Sequence, residues 1–86
     1  MLDRAWDLSP SVSVRPESFG ALLYSFSTRR LSFLKDRRLL EVVQLLPEHP
    51  TARDACAAAG LVEAELSTYA HALAQLAATD MLQERP

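Results

Sequence analysis

The sequence predicts an α+β domain in which a three-stranded antiparallel sheet is followed by three helices. Two observations indicate this order. Short segments with alternating apolar and polar residues fill the first part of the chain, which is typical of half-buried strands. Apolar residues three or four positions apart fill the remainder, which is typical of amphipathic helices. The 86 residues are expected to form one domain, residues 1–86, with the helices covering one face of the sheet.

The three predicted strands are short and differ in how clearly they are bounded. They cover residues 11–15, 21–26 and 30–34. Pro10 and Pro16 confine the first strand, because proline cannot donate to the ladder of hydrogen bonds. The second and third strands are expected to form a hairpin. Its turn contains neither Gly nor Asn, so the turn type and the exact register stay open.

Capping residues mark the ends of the predicted helices. Asp36 can cap the first helix, which ends before Pro47, because its carboxylate can accept a free backbone N–H of the first turn. Thr51 can cap the second helix, with an acid three positions later, and Gly60 is expected to close it in a left-handed conformation. The third helix is expected from residue 62 to about residue 78.

The composition is that of an ordinary globular domain, with 49% hydrophobic and 23% charged residues. The net charge of −2 gives no general attraction to nucleic acid or to anionic lipid. No segment approaches the roughly 18 apolar residues of a membrane span, and the first residues lack the apolar run of a signal peptide. The single cysteine, Cys56, cannot form an internal disulfide, which favours a cytoplasmic location.

No group of residues predicts catalysis, metal binding or a cofactor. Cys56, His49 and His71 are each isolated, whereas such sites need several converging polar groups. Cys56 lies among alanines, where a thiol usually packs as a small apolar group. Gly20 and Gly60 are too far apart to build a phosphate-binding loop. We therefore expect a protein that is not an enzyme.

Basic residues concentrate in one part of the chain. Five of the nine Lys and Arg residues lie within residues 29–38, and both a solvated rim and a binding surface explain such a cluster. The alternative function is DNA binding by a winged helix-turn-helix-like arrangement. However, residues 60–83 contain no Lys or Arg, so the predicted third helix would repel phosphate groups. A nucleic-acid partner is therefore not expected.

The third strand is expected to lie at an edge of the sheet. Its unpaired N–H and C=O groups would form a template to which an extended peptide can add as a further strand. Tyr69, Leu73 and Leu76 of the third helix are candidates for the wall of a pocket beside that strand, although core packing is the favoured role of Leu73. A subunit that only scaffolds an enzyme is the remaining hypothesis, and a peptide titration separates it from peptide capture.

Several segments resemble a known family. They are residues 6–17, residues 19–24 with the sequence FGALLY, and residues 28–35 with the sequence TRRLSFLK. These segments are similar to the mycofactocin biosynthesis chaperone family, MftB, and the similarity covers residues 6–82. That family resembles the PqqD-like recognition elements of ribosomally made, modified peptides. The resemblance implies a small winged helix-turn-helix-like domain that binds the leader of a precursor peptide as an added strand.

The resemblance also implies partners and a place of binding. The partners would be the mycofactocin precursor peptide and a radical-SAM maturase, whose iron–sulfur cofactors would belong to that enzyme, so that none is expected in this chain. The leader would lie antiparallel to residues 30–34 and against the third helix. The residues expected to contact it are Arg29, Arg30, Leu31, Ser32, Phe33, Leu34, Lys35, Tyr69, Leu73 and Leu76.

The peptide affinity of the expected site should depend on salt concentration and on a proline substitution in the third strand. Arg29, Arg30 and Lys35 would favour acidic residues in the leader, so that its affinity should fall as salt is added. A proline at Ser32 should weaken peptide binding more than folding, provided that the Ser32 N–H faces the open edge. An uncovered edge also allows two copies to pair, so a homodimer is a further expectation in the absence of peptide.

Overall fold

The computed structural model describes all 86 residues, which form five strands and three α-helices. In chain order the elements are β1 (Trp6–Leu8), β2 (Val12–Glu17), β3 (Gly20–Ser25), β4 (Leu31–Leu34), α1 (Arg37–Leu45), α2 (Ala52–Ala58), α3 (Leu66–Ala78) and β5 (Leu82–Glu84). Short 3-10 turns follow α1 at Leu46–Glu48 and precede α3 at Glu63–Glu65. The predicted α+β order is confirmed, because the three-stranded antiparallel sheet β2 to β4 is followed by the three helices.

The main sheet has the strand order β2, β3, β4, with β3 in the centre. Leu23 of β3 lies opposite Val14 of β2 and Ser32 of β4. Successive side chains of a strand point to opposite faces, and Leu23 is fully buried whereas its neighbours Leu22 and Tyr24 are only partly buried. The buried face, which is covered by the helices, is called the inner face below, and the opposite one the outer face.

The hairpin between β3 and β4 contains a residue in the left-handed region, Arg29, with φ 60°. The Arg29 N–H donates to the Ser25 carbonyl at 2.8 Å, and the Ser25 N–H donates to the Arg30 carbonyl at 2.9 Å. Arg29 and Arg30 therefore oppose Ser25 together, as in a β-bulge whose first residue is usually glycine. The turn type could not be predicted from the sequence because an arginine occupies this position.

The capping residues predicted from the sequence are confirmed. The Asp36 carboxylate accepts the N–H of Arg38 at 2.8 Å, and the Thr51 hydroxyl accepts the N–H of Asp54 at 3.2 Å. Gly60 follows α2 in the left-handed region, with φ 89°. The third helix was expected from residue 62, but residues 63–65 form a 3-10 turn and the regular α-helix begins at residue 66.

A second, two-stranded sheet was not predicted from the sequence. It pairs β1 with β5 in antiparallel orientation, with Trp6 opposite Glu84 and Leu8 opposite Leu82. The Ser9 N–H extends this contact by donating to the carbonyl that precedes β5, at 2.9 Å. Each strand has three residues, too few to show the alternation by which a strand is recognised.

The hydrophobic core lies between the inner face of the main sheet and the helices, and it extends to β5. It contains 16 buried apolar residues, among them Leu23, Val42, Leu73 and Met81. Each helix contributes its apolar face to this one cluster, which is how a domain of this size buries enough surface to fold. No helix is both long and apolar enough to cross a lipid bilayer.

Candidate functional site

One side of β4 has no partner strand. β3 occupies its other side, and β5, the strand that follows the helices, pairs with β1 instead. An edge strand leaves the N–H and C=O groups of alternate residues without partners from the sheet. The fold therefore has an open edge along residues 31–34, the position at which the sequence predicted one.

The hydrogen bonds of the hairpin identify the groups that face the open edge. The Ser25 N–H donates to the Arg30 carbonyl, and hydrogen-bonded pairs alternate along an antiparallel ladder. Two positions further along β4, Ser32 therefore directs its N–H and C=O to β3, and Leu31 and Phe33 direct theirs to the open edge. The prediction for a proline at Ser32 assumed that the Ser32 N–H faces the open edge, and the structure contradicts this assumption. The prediction applies to Phe33 instead, because the Phe33 N–H faces the open edge.

A groove of about 270 Å³ lies between β4 and α3. It is lined by Ser32, Phe33, Leu34, Leu39, Ala72, Gln75, Leu76 and Thr79. Leu34, Leu39 and Leu76 are buried and form an apolar floor, whereas Gln75 is exposed and Thr79 half-buried at the rim. An apolar floor next to unpaired backbone groups suits an extended chain, because alternate side chains of such a chain point to one side.

The structure distinguishes the three residues of α3 that were predicted to line a pocket. Leu76 lines the groove. Leu73 is fully buried in the core, with 0% of its surface exposed, in agreement with the core role favoured for it. Tyr69 is half-buried and lies one helical turn before Ala72, outside the lining of the groove.

Tyr69 is connected to the N-terminus of α1. Its hydroxyl donates a hydrogen bond to the Asp36 carboxylate. Burial raises the pKa of Asp36, but hydrogen bonds from Tyr69 and from the backbone N–H groups of Arg38 and Leu39 outweigh it, so that the pKa of this carboxyl lies below its ordinary value. The same hydrogen bond to Asp36 raises the pKa of Tyr69 to about 12. The pair therefore links α3 to the segment that directly follows β4.

The basic residues predicted to attract an acidic leader lie at the two ends of β4. Arg29, Arg30 and Lys35 are exposed, and none of them makes an ion pair within the chain. Arg38 differs, since its guanidinium pairs with Glu65 at 3.2 Å. The open edge is thus flanked by three positive charges that are available to an anion from outside.

Four residues of the groove were not predicted as part of the site. They are Leu39, Ala72, Gln75 and Thr79. A signal existed for two of them, because Ala72, Leu76 and Thr79 are spaced by four and three positions and therefore share one face of a helix. Leu39 was recognised only as an apolar residue of the first helix, since its spacing alone does not show that it borders a cavity.

Outside the groove, ionisable side chains form ion pairs at the β1–β5 sheet, where Arg4 contacts Glu84 at 2.8 Å and Arg85 contacts Asp7 at 3.5 Å. Cys56 is fully buried, and burial raises the pKa of its thiol. No three His, Cys, Asp or Glu side chains converge. A larger cavity of about 540 Å³ lies between the β3–β4 hairpin turn and β5, and most of its lining is polar, including Ser27, Thr28 and Gln83. This second cavity lacks the apolar floor that distinguishes the groove beside β4.

An open sheet edge beside an apolar groove is the distinguishing surface feature of this small α+β domain. The chain belongs to the Peptide chaperone MftB family, whose sequence profile matches residues 5–83. The resemblance to this family noted in the sequence is thereby confirmed. No solved structure is significantly similar to the chain.

Three curated proteins similar to this chain are each called Peptide chaperone MftB. The protein from Mycobacterium tuberculosis is 54% identical over 83 residues, which are 96% of this chain and 76% of that protein. The protein from Mycobacterium ulcerans is 56% identical over 80 residues, 93% of this chain and 73% of that protein. The protein from Mycolicibacterium smegmatis is 52% identical over 80 residues, 93% of this chain and 78% of that protein.

Proposed function

We propose that this chain is a non-catalytic peptide chaperone, which binds the leader of the mycofactocin precursor peptide by strand addition at β4 and presents it to a radical-SAM maturase. The observation that carries the proposal is the open edge of β4 beside an apolar groove. Membership of the Peptide chaperone MftB family supports the role of a peptide chaperone. The leader would gain main-chain hydrogen bonds from the edge and side-chain contacts from the groove.

The orientation of β4 determines which side chains of the leader would enter the groove. Residues directly opposite each other in an antiparallel pair point to the same face. Leader residues opposite Ser32 and Leu34 would therefore point inward, between β4 and α3. Those opposite Leu31 and Phe33 would point outward and would exchange hydrogen bonds with the free edge. We therefore expect apolar residues two positions apart in the bound part of the leader.

The groove is expected to contribute affinity that the hydrogen bonds alone do not supply. Each main-chain hydrogen bond contributes a net of only about 0.5–1.5 kcal/mol, and binding costs at least ~4 kcal/mol in lost translational and rotational freedom. Burial of one aliphatic side chain contributes about 1.5–3 kcal/mol. The edge alone would therefore bind weakly, and the two inward-facing side chains would make the complex stable.

A titration with the precursor peptide tests the proposal. Backbone amide signals of Leu31 and Phe33, followed by NMR, should shift and should become protected from hydrogen exchange, because both N–H groups acquire partners. Signals of α2, which lies away from the groove, should change little. Absence of binding by the folded chain, or shifts confined to another surface, would overturn the proposal.

A pair of variants on one helix tests the role of the groove. Ala72→Phe places a ring in the groove and should weaken leader binding by about tenfold or more, since that ring competes for the apolar floor. Ala74→Phe is the matched control, because Ala74 is exposed and does not line the groove. If the two folded variants bind the leader with equal affinity, the groove is not part of the binding site.

The salt dependence of binding tests the three free cations. If Arg29, Arg30 and Lys35 attract acidic residues of the leader, affinity should fall from low to high salt, because exposed charges are screened. An Arg30→Gln/Lys35→Gln variant should show weaker binding at low salt and a smaller salt effect. If the leader affinity of the unmodified chain does not change with salt concentration, these residues form only a solvated rim and do not attract the leader.

A further inference from the structure

The outer face of the main sheet carries a cluster of large apolar side chains that no helix covers. We call this cluster the outer patch; it consists of Leu22, Tyr24, Phe26, Leu31 and Phe33. Phe26 is 65% exposed, Phe33 56% and Leu31 52%. None of these side chains packs against the core, so their contribution to folding is limited to contacts between neighbouring residues of the sheet.

The residues of the outer patch are neighbours in space. Leu22 lies opposite Phe33 and Tyr24 opposite Leu31 across the β3–β4 pair. The rings of Tyr24 and Phe26 meet edge to face, with centroids 5.0 Å apart. Single exposed apolar residues are normal on a protein surface, but a contiguous apolar cluster with a polar rim marks an interaction site.

We propose that the outer patch is the docking surface for the enzyme that modifies the bound peptide, and that this enzyme offers an apolar patch rimmed by carboxylates. The inference rests on the proposed function, because it requires a peptide bound along β4. It adds to that function a second surface, on the opposite face of the sheet from the groove.

The outer patch is continuous with the place of the bound peptide. A peptide added to β4 becomes the fourth strand of the sheet, and its residues opposite Leu31 and Phe33 point to the outer face. Its inward side chains are buried between β4 and α3, so that only its outer side and its far edge remain accessible. A partner that docks on the outer patch therefore contacts chaperone and peptide at once, and it binds better when the peptide is present.

The charges around the outer patch indicate the chemistry of the partner. Arg15 of β2 shares the outer face and is neutralised by Glu17 at 2.8 Å. Among the cations that have no ion-pair partner within the chain, Lys35 continues the alternation of Leu31 and Phe33 toward the outer side, whereas Arg30 shares the inner side with Ser32, toward the leader. Two copies stacked through this face would bring like charges together, which is unfavourable. Carboxylates around an apolar surface would complement it.

The experiment uses two separate binding measurements. The first is the affinity of the chain for the precursor peptide, and the second is the affinity of the chain–peptide complex for the radical-SAM maturase. The test variants are Phe26→Ser alone and Leu22→Thr/Phe26→Ser, because neither residue lies on β4. Val62→Ser is the matched control, since Val62 is 61% exposed and lies before α3, outside the outer patch.

The expected result is a loss of about tenfold or more in maturase affinity for both test variants, with peptide affinity changed by less than about twofold. Val62→Ser should change neither. Unchanged maturase affinity of the folded variants would overturn the inference while leaving the proposed function intact. Absence of peptide binding by the unmodified chain would overturn both.

Two other occupants of the outer patch give distinct results. If the patch joins two copies, the unmodified chain is a dimer in analytical ultracentrifugation and Phe26→Ser makes it monomeric. If the patch binds lipid, the unmodified chain binds vesicles of phosphatidylglycerol and phosphatidylcholine and Phe26→Ser does not. Either result, combined with unchanged maturase affinity, would overturn the assignment to the enzyme.

Discussion

The hydroxyl of Tyr69 donates a hydrogen bond to one oxygen of the Asp36 carboxylate, and the other oxygen of that carboxylate accepts the Arg38 N–H at 2.8 Å. One side chain therefore caps α1 and ties α3 to the segment after β4. Because the groove lies between β4 and α3, this contact helps to set the distance between its two walls.

Removal of the Tyr69 hydroxyl should lower stability moderately. Tyr69→Phe leaves the ring in place and removes one hydrogen bond, so the free energy of unfolding should fall by about 1 kcal/mol. Tyr24→Phe is the control, because the Tyr24 ring packs against Phe26 and its hydroxyl has no partner within the chain. Urea unfolding of both variants measures the difference, and equal losses would contradict a specific role for the Tyr69 bond.

The same contact predicts a dependence of stability on alkaline pH. The hydrogen bond to Asp36 raises the pKa of Tyr69 from 10.0 to about 12 in the folded chain. A group whose pKa is higher in the folded state stabilises it below the unfolded pKa, and this contribution is lost as pH rises toward the folded pKa. Stability should therefore decline from pH 10 toward 12 more steeply in the unmodified chain than in Tyr69→Phe. Phenolate absorbance, recorded in parallel, should show one tyrosine that ionises only near pH 12 in the unmodified chain, and this component should be absent in Tyr69→Phe.

Proline at adjacent positions of β4 should separate binding from folding. Phe33→Pro removes an N–H that faces the open edge, so the chain should fold and lose leader affinity by about tenfold or more. Ser32→Pro removes an N–H directed at β3 and should cost on the order of 1–3 kcal/mol of folding free energy, because a carbonyl of β3 loses its partner.

Phe33→Val is the control for the lost ring, since it keeps the N–H and a residue suited to a strand. Calorimetry of leader binding and urea unfolding should be measured on all three variants. If Ser32→Pro is as stable as the unmodified chain, the orientation of β4 derived from the hairpin hydrogen bonds is wrong. If Phe33→Pro and Phe33→Val bind equally well, the free N–H at that position does not contribute.

Replacement of Arg29 by glycine should raise stability. A left-handed conformation costs a residue with a side chain about 1–2 kcal/mol, whereas the added freedom of glycine in the unfolded chain costs about 0.5–1 kcal/mol. Arg29→Gly should therefore gain roughly 0.5–1 kcal/mol. Arg29→Ala removes the same charge but keeps the left-handed strain, so it should gain nothing. Identical unfolding midpoints for the two variants would show that the conformation at Arg29 is not strained.

Local signals in the sequence predicted the main sheet, the three helices and their caps. The alternation in residues 30–34 identified β4, and Asp36, Thr51 and Gly60 act where short-range capping rules place them. β1 and β5 were missed because their pairing joins Trp6 to Glu84, and no local pattern reports a contact so distant in the chain.

The candidate site could be predicted only in part, for a related reason. That β4 is an edge strand follows from its place in the chain, but the groove depends on how α3 packs against the sheet. Leu73 and Ala72 are adjacent in sequence, yet one is in the core and the other borders the groove. The rotation of a helix by a fraction of a turn decides between these roles, and apolar spacing alone does not determine that rotation.

The pairing of β5 with β1 joins the first and last strands of the fold, which are more than seventy positions apart in the chain. A cavity separates β5 from the β3–β4 hairpin, and it is lined by Gln83 on the side of β5 and by Thr28 on the side of the hairpin. The pairing with β1 helps to fix the position of β5. Leu82 of β5 is also buried in the core, with 3% of its surface exposed. A variant without β1 would therefore unpair β5 and loosen its hold on the core, so that the chain should unfold at a lower concentration of urea.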